Sequence, residues 1–321
     1  MKTLVLVVTR RCTQRCTYCP VVKDDWQDMP LVTARQALRV FAEQFGGGYV
    51  KLFGGEPMLS PGVVRAVCED AAREATIARL TLYTNGALLE EQDLDFFAAQ
   101  SKLWLTISLD GKPEDHRGSR RVLPGEPDAL ASIDRLLPHL LRYPRFTATQ
   151  VIAPELAERA VDNFRYLLSR GVRRFNLLPA SWVVWSREQL EALRAGLAGI
   201  AELVRAEWRA GRSLYLRNLF VRSPQPTFAS GVVVDVDGHI FPSDCVLANL
   251  EEQARVDLCA GSVESPPSEA ELQRRAARVP EVLERTWPRE VLDSTRAADQ
   301  VLNGFYRSLM REYLALRRPA A

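Results

Sequence analysis

The chain has 321 residues, 47% hydrophobic and 26% charged, which is enough to bury a substantial core and a smaller second domain. A net charge of +2 is too mild to mark a nucleic-acid binder. The apolar start TLVLVV, stopped by Arg10 and Arg11, is too short for a signal peptide or a membrane span. A cytoplasmic protein bound to neither nucleic acid nor membrane is therefore expected, with its thiols reduced.

Runs rich in Val, Ile, Leu and Thr predict strands at 3–8, 49–53, 79–84, 103–109, 145–152 and 173–179. Helical patterns lie between them at 32–45, 61–75, 88–100, 127–142, 156–170 and 186–211. Asp128 or Ser132 suits the start of the fourth helix, and Gly171 the end of the fifth. Strand–helix alternation at this spacing predicts parallel βαβ units. Six such units give an α/β fold of the partial (β/α)6 TIM-like barrel kind, with a smaller C-terminal α+β extension. After residue 211 the pattern changes. Residues 221–231 read as a linker, 232–242 as a hairpin turning at Asp237-Gly238, and 267–279 and 288–316 as helices. The expected organisation is a barrel domain at 1–215 and a C-terminal region at 216–321.

Half of the six cysteines fall in RRCTQRCTYCP, as Cys12, Cys16 and Cys19, directly after the first strand. Structural zinc takes four ligands, usually from two knuckles, and no second C-x-x-C follows. Three thiolates on one tight loop suit an iron–sulfur cluster that leaves one iron without a protein ligand. The other unusual stretches also follow strands: GGEP (Gly54, Gly55, Glu56, Pro57), TNG (Thr84, Asn85, Gly86) and SLDG (Ser108 to Gly111). In a parallel barrel such loops share the face where ligands bind. Two adjacent glycines let the backbone approach a ligand closely. Strand alternation sends Ser108 and Asp110 to one side.

CTQRCTYC, with the aromatic Tyr18 before its last cysteine, resembles the cluster loop of the radical S-adenosylmethionine (SAM) superfamily. The resemblance implies a [4Fe-4S] cluster on Cys12, Cys16 and Cys19, whose open iron binds SAM. It implies that Gly54 to Pro57 meet the SAM amine, with Glu56 as the side chain. Thr84 or Asn85 would hydrogen-bond toward SAM, and Ser108 would face its ribose or carboxylate. DGKPEDHRGSRR resembles the family's D-G…H-x-x-x-R pattern, with Asp110, His116 and Arg120; an arginine fork suits a carboxylate. Arg117 or Arg121 are alternatives to Arg120.

The C-terminal hairpin resembles the start of the auxiliary-cluster domains, called SPASM and twitch, of peptide-modifying members. There a G-x-x-x-P-C hairpin supplies a cluster ligand. This chain reads GHIFPSDC, with Ser243 at the cysteine position, and only Cys245 and Cys259 remain nearby. One cluster per chain is expected. Asp244 falls where similar sulfatase-maturing enzymes place an acidic residue beside the substrate, which makes it a candidate catalytic base. Trp182 and Trp185, after the sixth strand, either face a peptide or pack under the C-terminal segment.

The resemblance implies an enzyme that reductively cleaves SAM and abstracts a hydrogen atom, with maturation of a ribosomally made peptide or protein as its work. A flavodoxin- or ferredoxin-type donor would supply the electron. A separate peptide-recognition protein would bring the substrate. An activase of a glycyl radical enzyme is the alternative within the family. A noncatalytic iron–sulfur redox protein is the alternative outside it.

Overall fold

The computed structural model describes residues 2–23, 27–220 and 231–316. The expected linker thus lies outside the described residues, apart from Gly231. Along the chain run the strands β1 (Lys2–Thr9), β2 (Gly48–Gly54), β3 (Ile77–Thr84), β4 (Leu103–Ser108), β5 (Phe146–Ile152), β6 (Arg174–Pro179), β7 (Val232–Val234) and β8 (His239–Phe241). The longer helices are α1 (Leu31–Phe45), α2 (Pro61–Arg73), α3 (Glu91–Ala99), α4 (Ala129–Arg142), α5 (Ala160–Ser169), α6 (Arg187–Arg209), α7 (Glu269–Thr286) and α8 (Arg289–Leu316). All six strands expected before residue 180 are present, each followed by helical structure. The fold is mixed α/β with mainly parallel pairing. No helix among the described residues is long and apolar enough to cross a membrane.

The described residues fall into two compact units. One lies within Met1–Ile107, Arg121–Phe146 and Gln225–Trp287, the other within Ser108–Arg120, Thr147–Pro224 and Pro288–Ala321. Both units draw residues from each side of the 215/216 boundary expected from sequence.

In the first unit β1 pairs in parallel with β2, β2 with β3 and β3 with β4. Leu4 to Val8 are all out of water, as a strand covered on both faces requires. Each such side chain contributes about 2 kcal/mol of burial. The short strand β7 pairs in parallel with the other side of β1, Leu4 to Leu6 opposite Val232 to Val234. β8 then folds back antiparallel on β7 through the turn at Gly238. The C-terminal hairpin is therefore part of the sheet that carries the cysteine loop.

In the second unit β5 pairs in parallel with β6, and β6 with Tyr215–Leu216. Phe164 and Phe175 fill its core at a ring-centroid distance of 4.4 Å.

Helix ends follow the expected signals. Asp128 caps α4 by accepting from Leu130 N–H (3.1 Å), and Leu130, Ile133, Leu136, Leu137 and Leu140 form its buried face. Ser186 and Gln189 form a capping box on α6. Two differences have local causes. α5 begins later than expected because Pro154–Arg159 winds as a 3-10 turn. α7 continues through Pro280 to Thr286, where a stop before the proline was expected. Two helices of seven residues, Pro113–Ser119 and Glu252–Leu258, are too short to show a period in sequence.

Candidate active site

The cysteine loop leaves the end of β1, and neighbouring segments hold its main chain. Gly55 N–H donates to Thr9 O and Glu56 N–H to Arg11 O, both at 2.8 Å. Leu123 N–H donates to Thr13 O (3.0 Å) and Val22 N–H to Leu247 O (2.9 Å). The two glycines of GGEP have a clear steric reason. A β-carbon on Gly54 would run into Thr9 O, and one on Gly55 into Arg11 O. What comes close to these two glycines is the backbone of the cysteine loop.

Cys12, Cys16 and Cys19 form no disulfide, and each is half-buried. Burial raises the Cys12 thiol, while the charge of Lys23 opposes it. The Lys23 ammonium is itself buried and donates to Gln14 O at 3.2 Å, inside the loop. Among the described residues, no three His, Cys, Asp or Glu side chains converge as on a single metal ion. Thiols that each take a different iron of a cluster need no such convergence. Three soft donors, partly open to solvent and beside a buried cation, fit an anionic cluster held by three ligands.

Glu56 ties two loops together. Its side chain is fully buried. The carboxylate accepts from Met58 N–H (2.9 Å), Thr84 Oγ1 (2.7 Å) and Asn85 N–H (2.6 Å). Thr84 Oγ1 in turn accepts from Gly86 N–H, and Asn85 Oδ1 from Ala87 N–H. Asn85 Nδ2 donates to Thr13 Oγ1 at 2.9 Å and lies 3.9 Å from Cys12 Sγ. GGEP, TNG and the cysteine loop therefore form one hydrogen-bonded body. In this arrangement Glu56 and Thr84 turn inward, and Gly55 offers half-exposed main chain.

In the second unit, Asp110 and Arg120 form a buried ion pair. Arg120 Nε donates to Asp110 Oδ2 (2.8 Å) and Nη2 to Oδ1 (3.2 Å). Asp110 also accepts from Ser119 Oγ (3.3 Å) and Val151 N–H (3.0 Å). The arginine fork expected to meet a carboxylate does so within the protein. Ser108 is half-buried at the end of β4. Trp185 packs, with its indole N–H on Ala180 O (2.9 Å). Trp182 is half-buried, has a left-handed backbone (φ 65°), and its N–H donates to Thr295 Oγ1.

On the hairpin, Ser243 is buried and its hydroxyl accepts from Cys245 N–H (3.3 Å), capping the turn Asp244–Leu247. Burial pushes the Cys245 thiol up to about 12, which keeps it protonated at neutral pH. Asp244 is half-buried beside it.

Sequence reasoning missed a buried charge network behind the loop. Asp235, at the end of β7, accepts from Arg10 Nε (3.1 Å) and Nη2 and from Arg255 Nη2 (2.8 Å). Arg10 had served only as the stop of an apolar run, and Asp235 as part of a hairpin. The available signal was a charged residue inside VVVDV, which a buried strand tolerates only with a partner.

A family model described as the Radical SAM superfamily matches residues 6–178. A GTP 3',8-cyclase of Pseudomonas fluorescens is 36% identical over 112 residues, 33% of this chain and 32% of that protein. The match thus spans about a third of that relative's length. A GTP 3',8-cyclase of Pseudomonas aeruginosa is 28% identical over 287 residues, 84% of this chain and 83% of that protein. Among solved structures, native anSMEcpe with bound AdoMet and Kp18Cys peptide aligns with a TM-score of 0.74 at 15% identity, covering 97% of this chain and 99% of that one. That likeness shows the fold.

Proposed function

The chain belongs to the radical SAM superfamily, whose members take a [4Fe-4S] cluster and SAM, and from that premise we propose that it abstracts a hydrogen atom from a peptide or protein substrate to mature it. Cys12, Cys16 and Cys19 hold the cluster. Gly54, Gly55 and Pro57 present main chain to SAM, while Glu56, Thr84 and Asn85 keep that main chain fixed against the cysteine loop. Ser108, Asp110 and Arg120 carry their assignment to SAM from the family pattern. When bound, the cluster and SAM supply the one-electron cleavage that yields the hydrogen-abstracting agent. Asp244 would take the proton released as the substrate radical gives up one electron, which the oxidised cluster could accept.

The observation that supports this reading best is the cysteine loop locked to GGEP and TNG through Glu56, with three half-buried thiols left at its surface. The peptide substrate is supported by the near full-length likeness to anSMEcpe, a fold solved with a peptide bound, and by the hairpin with Ser243 and Asp244. In this reading residues 1–215 act as the SAM-cleaving domain and 216–321 as a reduced auxiliary region. A flavodoxin- or ferredoxin-type donor supplies the electron, and a separate recognition protein brings the peptide.

A second reading has its own support. A relative 28% identical to this chain over 84% of its length is named GTP 3',8-cyclase, so a nucleotide is the alternative substrate. Reconstituted protein with SAM and reductant would be offered GTP or candidate precursor peptides, each deuterated. Transfer of deuterium into 5′-deoxyadenosine from a peptide supports the first reading; transfer from GTP replaces it with the second.

A further inference from the structure

Lys23 is a buried charge without a charged partner among the described residues. It is 7% exposed. Among the described residues its ammonium donates to one neutral group, the Gln14 carbonyl at 3.2 Å. That carbonyl sits midway between Cys12 and Cys16. A buried ammonium left in this state is costly, because one carbonyl does not replace the hydration of a full charge. Opposite charge near the cysteine loop would offset that cost. Three thiolates on a cluster core leave a net negative charge, and reduction adds one more electron to it.

Two amide groups reinforce the pattern. Asn85 Nδ2 lies 3.9 Å from Cys12 Sγ. Gln14 Oε1 accepts from Cys16 Sγ at 3.8 Å, and Gln14 Nε2 is buried with no partner among the described residues. Rotating that amide by half a turn would point its N–H at the sulfur, as a thiolate requires. The loop therefore carries one cation, one amide N–H near sulfur, and a second amide that would donate to sulfur once turned. The Cys12 thiol already feels the cation, which pulls against the effect of burial.

We propose that Lys23 is the counter-charge of the iron–sulfur cluster, a positioning residue that raises the cluster's reduction potential by stabilising its reduced, more negative state. The inference rests on the assignment of the cluster to Cys12, Cys16 and Cys19. The electron comes from an external one-electron reductant and stays on the cluster. A fixed positive charge in a poorly hydrated loop favours the added electron, and hydrogen bonds to sulfur act in the same direction.

The test is a redox titration of anaerobically reconstituted protein, followed by electron paramagnetic resonance of the reduced cluster. Wild type, Lys23→Met and Lys23→Arg would be compared, with iron and sulfide content and far-UV circular dichroism for each. Lys23→Met should keep its iron yet be harder to reduce by at least tenfold in the equilibrium constant, a fall of about 59 mV for one electron. Lys23→Arg should stay within that margin of wild type. Equal potentials for wild type and Lys23→Met would overturn the proposal, as would a shift in Lys23→Arg as large as that in Lys23→Met. If Lys23→Met folds but holds no iron, Lys23→Arg decides. Restored iron supports the charge, and continued loss refutes it. A wild type that shows no reduced-cluster signal would instead refute the cluster assignment itself.

Discussion

At Gly55 an added side chain would run into the carbonyl of Arg11, the residue before Cys12. Gly55→Val should therefore displace the cysteine loop itself. Overpacking of this kind costs about 1–3 kcal/mol. The variant should lose iron as well as SAM affinity, measured by iron analysis and calorimetry. Iron retained with SAM affinity alone reduced would mean the loop tolerates the displacement. Thiol chemistry divides the cysteines in a second way. Burial pushes Cys68 and Cys245 up to about 12, while Cys12, Cys16 and Cys19 are half-exposed. Iodoacetamide at neutral pH should alkylate the three loop cysteines of native apoprotein well before Cys68 and Cys245, as read by peptide mass mapping. Asp244→Asn should keep 5′-deoxyadenosine formation and stop product; normal product formation would remove Asp244 as the base. The three cysteines and both glycines were legible in sequence because spacing and residue type alone mark them. Glu56 was legible as a residue to watch, but its partners Thr84 and Asn85 are 28 and 29 positions away. Only the pairing of β2 with β3 brings them together.

The hairpin β7–β8 changes meaning once its pairing with β1 is known. Sequence gave its turn and its missing cysteine. It gave no sign that β7 joins the sheet or that Asp235 meets Arg10, because a pairing across more than two hundred residues leaves no local trace. The region that resembles a metal-binding module serves here as a brace at the back of the cysteine loop, through Asp235 and through Val22 on Leu247. Burial pushes the Asp235 carboxyl up, but the hydrogen bonds and charges of Arg10 and Arg255 outweigh it and hold the group below the usual carboxylate range. A depressed carboxylate contributes stability that is present above its unfolded value and lost as pH falls through its folded value. Thermal stability should therefore drop as pH falls below about 4, the ordinary carboxylate value. Asp235→Asn should lose about 3 kcal/mol at neutral pH, since it strands two arginines, and should show a flatter acid limb. An unchanged melting profile across that range would mean the network is inert.

For the whole molecule, strand–helix alternation was enough to read the partial barrel, since long periodic elements dominate it. The two compact units were not legible, because each is assembled from separated stretches of chain. Substrate identity was least legible, since none of the motifs names a substrate. The central claim is that Cys12, Cys16 and Cys19 hold one cluster that drives SAM cleavage. Wild type and the variant with all three changed to Ala would be reconstituted anaerobically, assayed for iron and sulfide, and incubated with SAM and reductant. The account predicts about four irons per wild-type chain and 5′-deoxyadenosine from wild type alone. Product from the triple variant, or a full cluster surviving in it, would contradict the account.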